Sequence, residues 1–166
     1  MDCLVRYAEM IDLPRIGEIY AFARKFMAET GNPNQWGTHH PPVAQLEKDV
    51  ANRKLYVIED VSGIHGVFYF AVEDDPTYHV IHDGDWHADQ RYGVIHRIAG
   101  DGSGGVLRKA VEFASLQTDY LRIDTHHDNQ VMQRAVEKLG YIRCGIIYIA
   151  DGSPRIAYDR INKSST

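Results

Sequence analysis

Cysteine is scarce in this sequence: Cys3 and Cys144 are the only two in 166 residues, and they form no Cys-x-x-Cys pair. That excludes a disulfide scaffold and the cysteine-based zinc spacings, and it fits a reducing cytoplasm. A basic surplus is lacking too. The 18 Lys and Arg against 23 Asp and Glu leave a net charge of −5, so a general nucleic-acid binder with a basic face is not expected. No apolar run approaches the roughly 20 residues that span a bilayer. The opening MDCLVRYAEMIDLPR has no apolar core of the signal-peptide kind, so neither membrane nor export is expected. Internal repeats and low-complexity tracts are absent. What remains is an ordinary globular composition, 44% hydrophobic and 25% charged, at a length suited to one domain. That domain is expected over 1–160, with 161–166 as a tail.

Strand and helix signals alternate along the chain. LVRYA (4–8) opens as a short strand. Asp12 can cap a helix that tolerates Pro14 in its first turn. Leu13, Ile16, Tyr20, Ala23 and Met27 then recur at helical spacing on one face. Gly31 ends this helix, the loop GNPNQWGTHHPP follows, and a second helix covers 43–53. KLYVIED (54–60) and IHGVFYFAVE (64–73) read as a hairpin rich in β-branched and aromatic residues, turning at Ser62 and Gly63. Residues 74–90 carry mixed signals and read as an irregular excursion. YGVIHRIA (92–99) is a strand, 106–116 a helix, LRIDTH (121–126) a strand, and 129–139 a helix closed by Gly140. YIRCGIIYI and RIAYDRI close the chain as two strands joined at DGSP. The order β-α-α-β-β-β-α-β-α-β-β predicts an α/β domain, a mixed sheet with helices packed on it.

Four of the six positions from 100 to 105 are glycine: Gly100, Gly102, Gly104 and Gly105. Glycine supplies positive φ cheaply and lets a ligand approach the backbone, and the helix N-terminus that follows accepts phosphate. Gly100 and Gly105 have P-loop separation, but Val106 and Leu107 stand where that motif has its Lys and hydroxyl. Gly100, Gly102 and Gly105 match G-x-G-x-x-G literally, with Asp124 near the place of a ribose-binding acid. The chain after Gly100 is nonetheless short for a doubly wound half plus a catalytic domain. A flexible loop without ligand is the plain alternative.

From Val94 to Tyr141 the order is strand, glycine loop, helix, strand, Asn, helix, Gly-Tyr. This order resembles the GNAT superfamily of acetyl-CoA-dependent N-acyltransferases, whose R/Q-x-x-G-x-G/A loop enters a helix. NQVMQRAVEKLGYIRCG (129–145) looks like that family's N…EKLGF block, and the two opening helices fit its topology. GNPNQW, IHRIA and ADGSPRIAY resemble segments of bacterial members with unassigned substrates. With Gly105 as the central glycine, Gly102 departs from the usual Arg/Gln and Leu107 from the second Gly/Ala. The resemblance implies a mostly antiparallel central sheet flanked by helices. It implies acetyl transfer from acetyl-CoA to a primary amine of a small molecule or protein, directly within a ternary complex. The backbone of Gly104, Gly105, Val106, Leu107, Arg108 and Lys109 would hold the CoA pyrophosphate, with Arg108 and Lys109 adding charge. His96, Arg97 and Ile98 would pair with the pantetheine arm through the main chain, and Asn129 would contact that arm besides its plain role as an N-cap. Homodimerisation through the C-terminal strands is common in the family.

Such a transfer needs a base for the amine proton. His96, Asp124 and His126 are the candidates, and strand alternation puts Arg122, Asp124 and His126 on one face. Histidine, with a reference pKa of about 6.5, suits the task, although nine histidines dilute any single one. The family's tyrosine acid, seven residues after Asn129, is Val136 here. That leaves Tyr141, Tyr148, water, or no acid at all, since a thiolate of parent pKa about 8.5 leaves readily. The histidine clusters show neither HExxH nor a Cys/His zinc spacing, and neighbours on a strand point opposite ways, so no metal is expected. By the resemblance Asn34 and Trp36 line the acceptor site, and the loop acids Asp74, Asp75, Asp83, Asp85 and Asp89 suit a cationic amine. A non-catalytic CoA- or nucleotide-binding sensor of the same fold, and a small dinucleotide-binding oxidoreductase, are the alternatives.

Overall fold

The computed structural model describes residues 2–162. Its elements are β1 (Leu4–Tyr7), α1 (Leu13–Glu29), α2 (Val43–Ala51), β2 (Leu55–Asp60), β3 (Gly63–Val72), β4 (Gly93–Gly100), α3 (Val106–Ser115), β5 (Tyr120–Thr125), α4 (Gln130–Lys138), β6 (Ile142–Tyr148) and β7 (Pro154–Ile161). This is the expected order, with ends moved by a residue or two. Ile161, expected to start the tail, closes β7 opposite Tyr120, and the Asn162 N–H donates to the Asp119 carbonyl. Residues 163–166 of that tail lie outside the described residues.

The strands form one sheet in the order β1-β2-β3-β4-β5-β7-β6. Every neighbouring pair is antiparallel except β4 with β5. The mostly antiparallel mixed sheet is therefore as expected. It is not the doubly wound parallel sheet that the literal G-x-G-x-x-G match would require. Both faces are covered. Period-2 alternation along β3 sends Val67 and Tyr69 into one core and Phe68 and Phe70 into the other. Ile16, Ile19 and Tyr20 of α1 and Leu46 of α2 pack on the first face. Ala110, Val111 and Ala114 of α3 and Val136 of α4 pack on the second. A fully buried side chain of this class contributes about 1.5–3 kcal/mol, so each layer is anchored by its own apolar stripe.

The excursion after β3 is a third covering element on the α1 side. It starts with a 3-10 turn, Pro76–Tyr78, that buries Tyr78 completely. Trp86 donates its indole N–H to the Tyr78 carbonyl, and His82 makes an isolated antiparallel bridge to Ile146. Gly145 permits that approach, because a Cβ there would lie 2.4 Å from the His82 carbonyl oxygen. The same segment encloses Arg122, whose guanidinium lies 4.1 Å from the Trp86 ring and 4.3 Å from the Tyr92 ring. The polar face of β5 is thus divided: Arg122 joins this aromatic network and Asp124 borders a cleft. No helix among the described residues is long and apolar enough to cross a membrane.

Candidate active site

The sheet opens between β4 and β5. The two strands pair only at Gly93 with Leu121 and Val94 with Arg122. Beyond those pairs lies a cleft of about 600 Å³, bordered by Ile95 to Ile98 of β4 and Ile123 to Thr125 of β5. A bulge shapes the β4 side. Val67 pairs with Ala99 and Tyr69 with His96, so Arg97 and Ile98 share the place opposite Phe68. Arg97 has φ +48°, uncommon for a residue with a side chain. Three contacts hold it there. The Tyr20 hydroxyl donates to its carbonyl at 2.6 Å, its guanidinium pairs with Asp49 at 2.9 Å, and the same group lies 4.5 Å over the Tyr69 ring. The Arg97 side chain is committed to the fold, which leaves its main chain to face the cleft.

Gly105 is the N-cap of α3 at φ +78°, and no side chain caps this helix. The donors of the first turn therefore lack an intrahelical or side-chain partner. A Cβ on Gly104 or Gly105 would meet nothing within 4 Å, so space above these residues is open. Val106 tucks beneath the loop, its methyls at 2.8 Å from a Cβ built on Gly66 and 2.9 Å from one on Gly100. Leu107 packs against the α3–α4 core, so its side chain leaves the loop surface clear. Arg108 is exposed and Lys109 half-buried, and neither forms an ion pair among the described residues. Asp101 orders the approach by accepting from the Ser103 N–H and hydroxyl and from Arg15. At the other end of the cleft the buried Thr125 hydroxyl has no partner among the described residues. Open backbone donors beside Lys109 at the start of α3, in a hollow of their own, and an orphaned hydroxyl in the cleft suit a ligand with a diphosphate and a polar arm.

His96 stands at the centre. Its Nε2 is 2.8 Å from Asp75 Oδ2, and its Nδ1 is 4.0 Å from Asp124 Oδ2, which also accepts from the Tyr78 hydroxyl at 2.7 Å. Burial opposes ionisation of Asp75, yet hydrogen bonds from His96 and Thr77 outweigh it and hold the carboxyl at about 2. Asp75 sits 21 positions before His96 among other loop acids, which hid this pairing in the sequence.

Several expected site residues lie elsewhere. β5 ends at Thr125, so His126 does not continue the Asp124 face. Its Nδ1 instead accepts the Asp128 N–H, its ring stacks on His127, and burial above all pushes its pKa down. Tyr141 is sealed in the α3–α4 core with an unpartnered hydroxyl, and Tyr148, half exposed, packs edge-on against His82. Neither lines the cleft. Asn34 is exposed and away from the cleft, whereas Trp36 lines it and packs edge-on to Tyr20 at 5.6 Å. Gln35 is the residue sequence reading missed: its Oε1 accepts from both Asn32 and Asn129, tying the α1–α2 loop to α4. Asn129 is the N-cap of α4, its Oδ1 accepting the Met132 N–H, and it also lines the cleft.

Among the described residues two groups bring three metal-type donor atoms within 4.8 Å of one another: His87, Cys144 and Asp159, and His126, His127 and Asp128. Neither follows a chelating spacing. The first is assembled across strands, and the second forms because the chain turns at 126, so that adjacent rings share a side.

No family sequence model and no curated protein matches the chain. Solved structures do. A GNAT-family acetyltransferase from Streptococcus agalactiae is 26% identical with a TM-score of 0.86, over 98% of this chain and 96% of that one. A GNAT-family acetyltransferase from Listeria monocytogenes is 17% identical with a TM-score of 0.67, over 96% and 94%. A Salmonella typhimurium protein, whose structure holds its cofactor acetyl-CoA, is 12% identical with a TM-score of 0.61, over 99% and 96%. The latter two show the fold alone, and the first adds likeness in sequence. The splayed β4–β5 pair, the bulge at Arg97 and the glycine-capped α3 thus sit in a chain that has the GNAT fold over nearly its whole length, and the solved structures it resembles are acetyltransferases of that fold.

Proposed function

We propose that the protein is an N-acetyltransferase that moves an acetyl group from acetyl-CoA to a primary amine, directly within a ternary complex. The observation that carries this reading is the opening of the sheet between β4 and β5, with His96 inside it and the uncapped start of α3 beyond the end of β4. When bound, acetyl-CoA supplies an acetyl group activated as a thioester. The α3 N-terminus, with Arg108 and Lys109, is suited to hold its diphosphate. Main-chain N–H groups at the bulge are suited to polarise the thioester carbonyl.

His96 is the proposed base. With Nε2–H donated to Asp75, Nδ1 is the unprotonated nitrogen, and it faces Asp124 across 4.0 Å. An amine held against Asp124 gives its proton to Nδ1 as it attacks. No side-chain acid is required for the thiolate, whose parent thiol has a pKa of about 8.5; Val136 and Tyr141 are both buried in the core. Direct transfer asks no nucleophile of the protein, and no cysteine or serine among the described residues lines the cleft.

Thermal unfolding with acetyl-CoA, CoA, NAD and NADP, added separately, tests the reading. At a hundred times its dissociation constant a ligand stabilises by about 2.7 kcal/mol, and the shift is expected with acetyl-CoA and CoA alone. Turnover with an amine panel follows. Binding without turnover makes the protein a CoA sensor, and a shift with a dinucleotide alone sinks the acetyltransferase reading.

A further inference from the structure

The cleft has a second charged end that the transfer chemistry leaves unused. Arg155, the second residue of β7, is 7% exposed and lines the cleft. Its Nη1 donates to the Pro154 carbonyl at 2.8 Å and the Ser153 hydroxyl at 3.1 Å. No carboxylate among the described residues forms an ion pair with it, and its Nε and Nη2 make no hydrogen bond there. The carboxylates of the cleft have their own hydrogen-bond partners: Asp75 has His96, Asp124 has Tyr78, and Asp151 has Ser153 while feeling the Arg155 charge at longer range. The other cleft arginine, Arg97, is neutralised by Asp49. The Arg155 Nε and Nη2 thus present a free guanidinium edge at the cleft wall, open to an anion from outside.

The register says where that anion would sit. Asp124 pairs with Ala157. Ala157 belongs to the α1-side core while Ile156 and Tyr158 belong to the other, so Arg155 shares the Asp124 face. The two lie on the diagonal of an antiparallel pair, about 7–8 Å apart at the backbone. Both side chains reach into one chamber, roofed by Trp36 and His40 of the α1–α2 loop.

We propose that Arg155 is an anion subsite of the acceptor, and that the acceptor is a small amine carrying a carboxylate close to its amino group, an amino acid rather than a simple or purely cationic amine. This rests on the acetyltransferase reading and narrows it. The amino group lies between His96 and Asp124, and the carboxylate takes the free edge of the guanidinium, whose planar fork matches it.

Matched acceptor pairs test the proposal without any variant: amino acids against the amines left when their carboxylate is removed, alanine against ethylamine first. With acetyl-CoA saturating, kcat/KM is expected to be at least about tenfold higher for the carboxylate-bearing partner, the scale of one charge-assisted hydrogen bond. Arg155→Gln is expected to bring that ratio toward one, and Arg155→Lys to recover part of it. Calorimetry of amino acids with CoA-free protein reads the subsite independently of turnover, and binding there is expected to disappear in Arg155→Gln. Equal or better use of the decarboxylated amines, together with no amino-acid binding, overturns the anion subsite while leaving the acetyltransferase reading intact. Failure of acetyl-CoA to bind overturns that reading instead, and the calorimetric arm still decides whether Arg155 receives a carboxylate.

Discussion

His96 is useful because its two nitrogens have different neighbours. Asp75 fixes one by a 2.8 Å hydrogen bond, and the other is left toward Asp124 and the cleft. A base in that position contributes about 10²–10⁴ in rate. His96→Gln is therefore expected to lower kcat/KM by that factor while the thermal shift with acetyl-CoA persists, since the proposed diphosphate cradle on α3 is untouched. Asp75→Asn keeps the imidazole but loses the carboxylate that orients it, so its loss in kcat should be smaller than that of His96→Gln. Unchanged kcat/KM in both variants would remove His96 from the mechanism. The sequence offered His96 as one of three candidate bases. Its selection over His126 was not legible there, because that depends on β5 ending one residue earlier than its apolar pattern indicates. Asp75 and Arg155 were not legible either: a loop acid among loop acids and an arginine at a strand start carry no local mark of what faces them.

At the level of elements, the local patterns were readable and the joints between them were not. Apolar periodicity, Gly140 as a helix stop and the glycine run before α3 each act over a few residues, so each could be read from spacing. The β4 bulge is different, because it arises from Tyr20, Asp49 and Tyr69 closing on Arg97 from three other elements. The seat of α3 is another such joint. Val106 fits only because Gly66 on β3 and Gly100 on β4 carry no side chain, a Cβ on either coming within 2.9 Å of its methyls. Val106 is β-branched and stiff about χ1, so it cannot turn aside without moving the helix start. Gly66→Ala is expected to weaken acetyl-CoA binding several-fold and to cost about 1–3 kcal/mol of stability, as overpacking does. Val106→Ala in the same chain should relieve the contact, so the double variant loses less than the sum of the singles. Strict additivity in denaturant melts and CoA titrations would show that this packing does not set the helix position.

For the whole molecule, the charged groups that build the site also set how the fold responds to acid. The Asp75 carboxyl is held at about 2, against an ordinary 3.8. Asp12 is lowered chiefly by the Arg6 guanidinium, and Asp159 is lowered because hydrogen bonds from Tyr120 and His87 outweigh its burial. For each, the unfolded chain takes up its proton first, so the stabilisation is complete above 3.8 and is lost as pH falls through the folded value. For Asp75 that swing is on the order of 2 kcal/mol. His40 and His126 act in the same direction at milder pH. Burial chiefly disfavours their charged forms, so their contribution is present above 6.5 and declines below it. His65 opposes them: hydrogen bonds to Asp101 and Asp60 raise its pKa, giving stability below 6.5 that fades as pH rises through the folded value. The melting temperature followed by circular dichroism should accordingly decline as pH falls below 6.5, where His40 and His126 charge in the unfolded chain first, and drop steeply below about pH 4. Asp75→Asn should be less stable at neutral pH and show a shallower acid limb. A melting temperature that holds level from pH 5 to 2.5 would mean that these carboxylates are not charged partners in the folded protein, and the Asp75–His96 pair at the centre of the cleft would go with them.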